Sequence, residues 1–340
     1  MWGPGGSRAP RAMTEWRRSG GDYKHRARHA QPTFAAIRVA RVLLAFGLLG
    51  ACDRAQTETQ PQRDPHKKIW EEFSGGKALA HVQAMVDLGP RPPGTEAIEK
   101  TRTYLTKQLE LSGWKVARQT FTEDTPRGKI EFVNLIAAFP GKDSAPSFLV
   151  CSHYDTKIFD RARFVGANDA GSSTGVLLEL ARVLSLRPDL AQKTTLVFFD
   201  GEEAYEAFSE TDGLYGSRYF AGQLVAQDKT KQYRGGILFD MVGDRSLNIT
   251  LPPDSPAEMA RDIFASAEAL NLRKYFTYFD RDITDDHTPL NAVGIPTIDL
   301  IDFDFTAWHT PDDTIDKLSA ESLRTVGAVA SYYLSEMALK

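Results

Sequence analysis

Cysteine is almost absent from this chain, which holds only Cys52 and Cys151 among its 340 residues. A fold held together by several disulfides is therefore excluded, and packing of the core must supply the stability. The chain also lacks an apolar run of the roughly 20 residues that cross a bilayer, which excludes a polytopic membrane protein. With 42% hydrophobic and 25% charged residues, the composition is that of a globular protein and not of a disordered one.

A strong net charge is lacking as well, since the formal charge is only -4. The charges are unevenly distributed, because residues 1–51 carry nine Lys or Arg and only two acidic residues. The remaining chain holds 32 basic and 43 acidic residues. An acidic body argues against a general nucleic-acid binder, so we expect no nucleic-acid partner.

The basic head is followed by an apolar run of about 10 residues and then by small residues, the pattern of a secretory signal. The end of this run, Leu49-Gly50-Ala51-Cys52, resembles the bacterial lipobox, in which the Cys becomes the lipidated first residue of the mature protein. An ordinary signal peptide, in which Cys52 has no special role, is the alternative. The head is long for a signal, and Met13 is a second candidate for the true start.

These segments predict three parts of the chain. A signal peptide with a lipobox covers residues 1–51, a flexible polar tether covers 52–66, and a single folded domain covers 67–340. With a lipid on Cys52, the protein would be exported and anchored to a membrane of a bacterial cell envelope. The sequence does not indicate which membrane.

Helical and strand patterns alternate from about Lys67 onward. Apolar residues three and four positions apart predict helices near residues 79–86, 95–111, 174–186 and 319–339. Alternating or continuous apolar runs predict strands near residues 114–121, 132–139, 148–151, 194–199, 235–239 and 296–301. This order predicts an α/β fold, namely a three-layer sandwich with a mixed, largely parallel central sheet and helices on both faces.

Polar side chains gather where the predicted strands end, and ligands of such sheets bind beyond the carboxyl ends of the strands. The set comprises five carboxylates and two histidines: Asp169, Glu202, Glu203, Asp240, Asp285, His153 and His309. Acidic side chains that converge on one edge repel each other and need a cation to hold them. Taken together, these residues favour a metal site.

Each of these residues also has an ordinary structural interpretation when it is taken alone. Asp169 could cap the helix that follows it, and His153 could pack against the edge of the sheet. The combination favours metal binding, because Asp, Glu and His at successive strand ends form a zinc set with one open coordination position. A second Glu beside the ligand Glu supplies a general acid or base.

Several motifs resemble those of the glutaminyl cyclases, which belong to the zinc-aminopeptidase-like superfamily. The resemblance covers residues 67–340, essentially the whole predicted domain. The motifs are Leu88-Gly89-Pro90-Arg91-Pro92, His153-Tyr154-Asp155, Gly166-Ala167-Asn168-Asp169, residues 198–204, residues 214–218, Asp285-Asp286-His287 and Trp308-His309-Thr310. The His153 and Glu202-Glu203 motifs are shared with aminopeptidases, whereas residues 209–218, Asp285-Asp286-His287 and Trp308 are more typical of cyclases.

The resemblance implies one zinc ion per chain, bound by Asp169, Glu203 and His309. It further implies that Glu202 is the proton shuttle. Residues 67–340 would then form a single zinc-dependent catalytic domain.

The same resemblance assigns roles to residues around the metal. Asp240 and Asp285 match the acidic pair that assists catalysis near the leaving group. Trp308 would line the substrate pocket, together with Phe303 or Phe305. Both phenylalanines are candidates because the segment that carries them is shorter than is usual in the family. Asp299 stands where animal cyclases carry a histidine.

The activity implied is conversion of N-terminal glutaminyl peptides to pyroglutamyl peptides with release of ammonia. The substrates would be peptide or protein N-termini, and we expect a monomer. The alternative is a zinc aminopeptidase with two metal ions, in which Asp169 bridges the ions and His153 and Asp240 bind the second one. A catalytically silent binding protein is a third interpretation, which the presence of Glu202 disfavours.

Overall fold

The computed structural model describes residues 66–141 and 145–340. The predicted signal peptide, the lipobox with Cys52 and nearly all of the tether lie outside the described residues. None of the helices in the described part combines the length and hydropathy that crossing a bilayer requires.

The described chain forms one eight-stranded sheet. Its strands are β1 (Lys115–Thr125), β2 (Gly128–Ala138), β3 (Ser147–His153), β4 (Thr194–Phe199), β5 (Tyr233–Asp240), β6 (Ile249–Leu251), β7 (Phe276–Tyr278) and β8 (Thr297–Ile301). In space they follow the order β1-β2-β4-β3-β5-β8-β6-β7. The four central strands β4, β3, β5 and β8 are parallel, whereas β1 and β2 are antiparallel to each other, β2 to β4, and β6 to β8. The carboxyl ends of β3, β4, β5 and β8 therefore meet at one edge.

Helices cover both faces of the sheet. They are α1 (Ile69–Glu72), α2 (Gly75–Leu88), α3 (Glu96–Leu111), α4 (Gly171–Ser185), α5 (Pro188–Ala191), α6 (Tyr215–Ala226), α7 (Ala257–Ala269), α8 (His287–Ala292) and α9 (Ala320–Tyr333). Short 3-10 turns at Thr230–Gln232, Arg273–Tyr275 and Ile315–Lys317 join elements, and a π-helical turn, Leu334–Ala338, follows α9.

Side chains that alternate along the central strands divide the core into two layers, as the period of a strand requires. One layer packs against α2, α4 and α9 and includes Val150, Leu196, Ile237 and Ile298. The other packs against α6 and α8 and includes Leu149, Cys151, Val197, Phe199 and Leu238. The predicted three-layer α/β sandwich with a mixed, largely parallel sheet is confirmed.

Helix α4 carries the loop of Asp169 and is buried along nearly its whole length. Gly175 lets α2 pack closely on it, because a Cβ at this position would lie 2.7 Å from the carbonyl oxygen of Ala78. The start of α4 is thereby fixed against the body of the domain, which fixes the loop before it.

Five of the described helices, α1, α5, α6, α7 and α8, have no counterpart in the sequence prediction, and α6 and α7 are the longest of them. The buried positions of α7 are Ala260, Ile263, Ser266 and Ala267, of which only Ile263 has a large apolar side chain. Helix α6 begins after Leu214, which has a left-handed backbone conformation (φ 54°) and makes no side-chain cap. The sequence therefore lacks the usual start signal at this point.

Candidate metal centre

Asp169, Glu203 and His309 come together at the carboxyl edge of the central strands. The Nε2 atom of His309 lies 3.3 Å from Asp169 Oδ2 and 3.2 Å from Glu203 Oε2. One ligand atom from each of the three residues lies within 4.8 Å of the others. An imidazole nitrogen and two carboxylate oxygens are a zinc-type ligand set with room for one further ligand.

The glutamate pair lies in the loop between β4 and α6. Gly201 turns this loop at φ 70°, where a Cβ would lie 2.4 Å from the Phe132 ring. The carboxylate of Asp155 accepts hydrogen bonds from the backbone N–H groups of Glu202 (3.1 Å) and Glu203 (3.4 Å). Asp155 therefore holds the loop backbone, which leaves both glutamate side chains free to face the pocket.

Asp169 is positioned by contacts from a distant part of the chain. The carboxylate of Asp313 accepts hydrogen bonds from the backbone N–H groups of Asn168 (2.7 Å) and Asp169 (3.1 Å). Buried Arg91 donates to the carbonyl oxygens of Val165 (2.7 Å) and Gly166 (3.0 Å) in the same loop. The motif that contains Arg91 thus supports the loop of a metal-ligand candidate.

The charges of this centre are strongly perturbed. Burial raises the pKa of Glu203, and the nearby Asp169 raises it further. For Asp169, burial would raise the pKa, but hydrogen bonds with His153 and His309 outweigh burial and place it well below its ordinary value. Oε2 of Glu203 is buried without a hydrogen bond. A divalent cation fits this arrangement, because it would neutralise the charges of the two carboxylates and bind the Glu203 oxygen that has no hydrogen bond.

Glu202 lies beside this centre without belonging to the group of three. Its side chain lines the pocket and is only 7% exposed. Burial raises its pKa well above the ordinary value, and Asp285, Glu203 and Asp286 add to the effect although His153 opposes it. A carboxyl group with a raised pKa can accept and release a proton near neutral pH.

His153 forms a second candidate group with Asp169 and Asp240. Its Nε2 atom lies 3.2 Å from both Asp169 Oδ1 and Asp240 Oδ1, and its Nδ1 atom lies 3.4 Å from Asp155. Burial raises the pKa of Asp240 to about 7, although the hydrogen bond with His153 lowers it in part. Because Asp169 belongs to both groups, the geometry also accommodates a second metal ion bridged by that carboxylate.

The pocket in front of the centre has a cavity volume of about 30 Å³. Asp240 and Asp285 line it together with both glutamates, as do the aromatic rings of Trp308 and Phe303. Trp308 stacks on His309 with 4.3 Å between ring centroids and remains 39% exposed. An aromatic wall beside buried carboxylates suits a small substrate with an apolar stem and a polar end.

Phe305 does not line this pocket, which corrects the expectation that it could. Its side chain is buried behind the wall in an apolar cluster with Met241, Ile283 and Ile301. In an extended segment, side chains two positions apart point to the same side. The chain turns at residues 303 and 304, so Phe303 packs on the edge of this cluster and also lines the pocket, whereas Phe305 is buried within the cluster. Phe303 is the phenylalanine at the pocket.

Phe208 and Lys157 lie at the site and have no place in the sequence prediction. Phe208 lines the pocket and is 39% exposed. The ammonium group of Lys157 lies 3.5 Å from Glu203 Oε2 and donates to the carbonyl oxygen of Ala204 at 2.7 Å. Phe208 lies six residues after Glu202 in a loop that also contains Tyr205, and nothing in the sequence distinguishes it as a pocket residue.

A model of peptidase family M28 matches residues 134–334, more than half of the chain. A glutaminyl-peptide cyclotransferase-like protein of Bos taurus is 29% identical over 307 residues, which cover 81% of this chain and 76% of that protein. The solved glutaminyl cyclase of Porphyromonas gingivalis is 31% identical, with a TM-score of 0.71, and the match covers 78% of this chain and 98% of that one.

The solved structure of a zinc-dependent exopeptidase of Parabacteroides distasonis is also similar to this chain. Its TM-score is 0.71 at 27% identity, and the match covers 78% of this chain and 98% of that one. Similarity of fold therefore extends to proteins named for two different reactions, and the choice between these reactions has to come from the site.

Proposed function

The chain belongs to peptidase family M28, and from this premise we propose that it is a glutaminyl-peptide cyclotransferase. It converts N-terminal glutaminyl peptides to pyroglutamyl peptides and releases ammonia. The observation that carries the proposal is the buried Glu202 beside the group of Asp169, Glu203 and His309, in a pocket walled by Trp308 and Phe303. The names of the related proteins support the same reaction.

Asp169, Glu203 and His309 would bind one catalytic zinc ion. When bound, zinc at this position supplies a Lewis acid for the γ-carbonyl oxygen of the substrate glutamine. The remaining steps belong to side chains of the pocket.

Glu202 moves the proton that the reaction requires. The α-amine of the substrate attacks its own γ-amide carbon, so a C–N bond forms and the bond to the amide nitrogen breaks. Glu202 accepts a proton from the attacking amine and delivers it to the leaving nitrogen, which departs as ammonia. Its raised pKa suits both transfers, because a carboxyl group of ordinary acidity releases a proton readily but accepts one poorly.

Asp240 and Asp285 lie in the same pocket and assist this transfer by binding the nitrogen that carries the proton. Trp308 and Phe303 pack against the methylene groups of the substrate and exclude water. Exclusion of water matters because water would otherwise compete with the α-amine as the nucleophile.

A zinc aminopeptidase remains the second candidate, supported by the group of His153, Asp169 and Asp240. In that enzyme a second metal ion would bind His153 and Asp240, and Asp169 would bridge the two ions. The products distinguish the two functions, since an aminopeptidase releases the whole N-terminal residue.

The test is incubation of the purified protein with one peptide that begins with Gln and a matched peptide that begins with Leu. Mass spectrometry of the products should show loss of one ammonia from the Gln peptide and no change in the Leu peptide. Release of free leucine or free glutamine would instead establish an aminopeptidase.

We also propose that the enzyme is exported and anchored to the bacterial cell envelope through a lipid on Cys52. The support is the lipobox-like sequence before Cys52 and the polar tether after it. An enzyme in this place would meet the N-termini of peptides and proteins outside the cytoplasm.

A further inference from the structure

A third group of carboxylate and imidazole side chains lies behind the pocket. It consists of Asp285, His287 and Asp299, which are each at most 3% exposed. One ligand atom from each residue lies within 4.8 Å of the others. Asp285 also lines the substrate pocket, so this inner group and the pocket share one side chain.

The orientation of His287 is the first observation that points to a ligand. Its Nε2 atom lies 3.3 Å from Asp254 Oδ2, and its Nδ1 atom lies 3.7 Å from Asp299 Oδ2. With the proton on Nε2, the ring nitrogen that faces the Asp254 carboxylate, the lone pair of Nδ1 points towards Asp299. Histidines that bind metals are oriented in this way, by a carboxylate that accepts the proton of the other ring nitrogen.

The second observation is that the inner group contains polar atoms without hydrogen bonds. Oδ2 of Asp285, both carboxylate oxygens of Asp299 and both ring nitrogens of His287 are buried and make none. Within residues 66–141 and 145–340, no Lys or Arg forms an ion pair with Asp285 or Asp299. Buried carboxylate oxygens that face each other and an imidazole lone pair are costly unless a cation lies between them.

We propose that Asp285, His287 and Asp299 bind a second divalent cation of the zinc class, separate from the centre of Asp169, Glu203 and His309. One imidazole nitrogen with carboxylate oxygens is a ligand set suited to zinc, whereas calcium and magnesium prefer oxygen ligands alone. The side chains are enclosed, as in metal sites that stabilise structure and not in those that bind substrate.

The cation would hold Asp285 in place. Oδ1 of Asp285 already accepts a hydrogen bond from the backbone N–H of Asp286, and the cation would bind Oδ2. Both oxygens would then be fixed, and the carboxylate would face the pocket in one orientation. The side chain of Asp254, which contacts His287, is 47% exposed, so this side of the group is near solvent.

The test counts zinc per chain after the full protein is equilibrated with Zn²⁺ and freed of unbound metal. Wild type should retain two ions, and Asp299→Asn should retain one fewer. His309→Ala should also retain one fewer, because it removes a ligand of the other centre. His153→Ala should keep both ions. The loss of one ion in Asp299→Asn does not depend on which reaction the enzyme catalyses, so it stands or falls separately from the proposed function. In the aminopeptidase alternative, wild type would retain a third ion, and His153→Ala would lose that one.

Asp254→Asn provides a second measurement that does not remove a ligand. Loss of the carboxylate that orients a metal-binding histidine weakens metal affinity by about 10- to 100-fold, and we expect this shift for one of the two ions. The half-exposed position of Asp254 makes this variant the milder change, should Asp299→Asn not fold.

Two results would overturn the proposal. One is a wild-type protein that retains a single zinc ion, with unchanged zinc affinity in Asp254→Asn. The other is a second ion that is lost in His153→Ala and retained in Asp299→Asn, which would place it with His153, Asp169 and Asp240.

Discussion

The centre of Asp169, Glu203 and His309 and the inner group of Asp285, His287 and Asp299 use the same side-chain types in different surroundings. The side chain of His309 is 20% exposed and lies beside the pocket, whereas that of His287 is 1% exposed. Open coordination is required for chemistry on a substrate, and enclosure suits a structural role. The comparison teaches that ligand types alone do not identify the catalytic centre and that access to the pocket does.

The largest effect is expected from removing a ligand of the open centre. His309→Ala should lose one zinc ion per chain and reduce turnover to the background of the assay, because two carboxylates alone bind zinc weakly. Zinc analysis and product mass spectrometry measure the two effects. His81→Ala is the matched control, since His81 bonds to Tyr104 away from the pocket and should keep both metal and activity. Full zinc occupancy in His309→Ala would refute the ligand assignment.

A smaller effect is expected from the aromatic wall. Trp308→Ala should raise KM by about 2- to 10-fold through loss of ring contacts, while Trp308→Phe should recover most of the loss. Steady-state kinetics with a Gln-initiated peptide measures both variants, and zinc analysis checks that His309 still binds. Tyr278→Ala, an exposed aromatic on β7, should leave KM unchanged. A Trp308→Ala enzyme with wild-type KM would remove this ring from the substrate site.

The smallest effect on either group is expected from substitution of Cys52, which should change where the protein is located in the cell and leave its turnover unchanged. In a bacterial host, Cys52→Ser should leave the membrane fraction or remain unprocessed, because lipidation requires the thiol. Its turnover in solution should equal that of wild type. Fractionation and gel mobility identical to those of wild type would contradict the lipobox interpretation.

Much of the fold follows from local patterns in the sequence. The apolar run at residues 194–199 predicts β4 to the residue, because a buried strand of a parallel sheet needs apolar side chains on both faces. The start of α4 is predicted three residues late, since Gly171-Ser172-Ser173 carries no apolar stripe although it is fully buried. Small and polar residues that are buried by tertiary packing give no periodic signal.

The residues of the site also fall into those that the sequence predicts and those that it does not. Strand ends, together with the family resemblance, indicate the candidates Asp169, Glu203 and His309, and the structure brings them together. Asp313 is missed, because it acts on the backbone of Asn168 and Asp169 from 144 or more residues away. Such a contact depends on the whole topology, and an Asp in a loop carries no mark of it.

The central claim is that the adjacent residues Glu202 and Glu203 have different roles, and two matched variants test it directly. Glu202→Gln should keep zinc but reduce turnover by about 10²- to 10⁴-fold, because it removes the proton shuttle and spares the ligands. Glu203→Gln should lose one zinc ion, because an amide is a poorer ligand than a carboxylate. Zinc content and turnover measured side by side give the answer. Loss of zinc in Glu202→Gln with retention in Glu203→Gln would reverse the roles, and near-normal turnover in Glu202→Gln would contradict the mechanism.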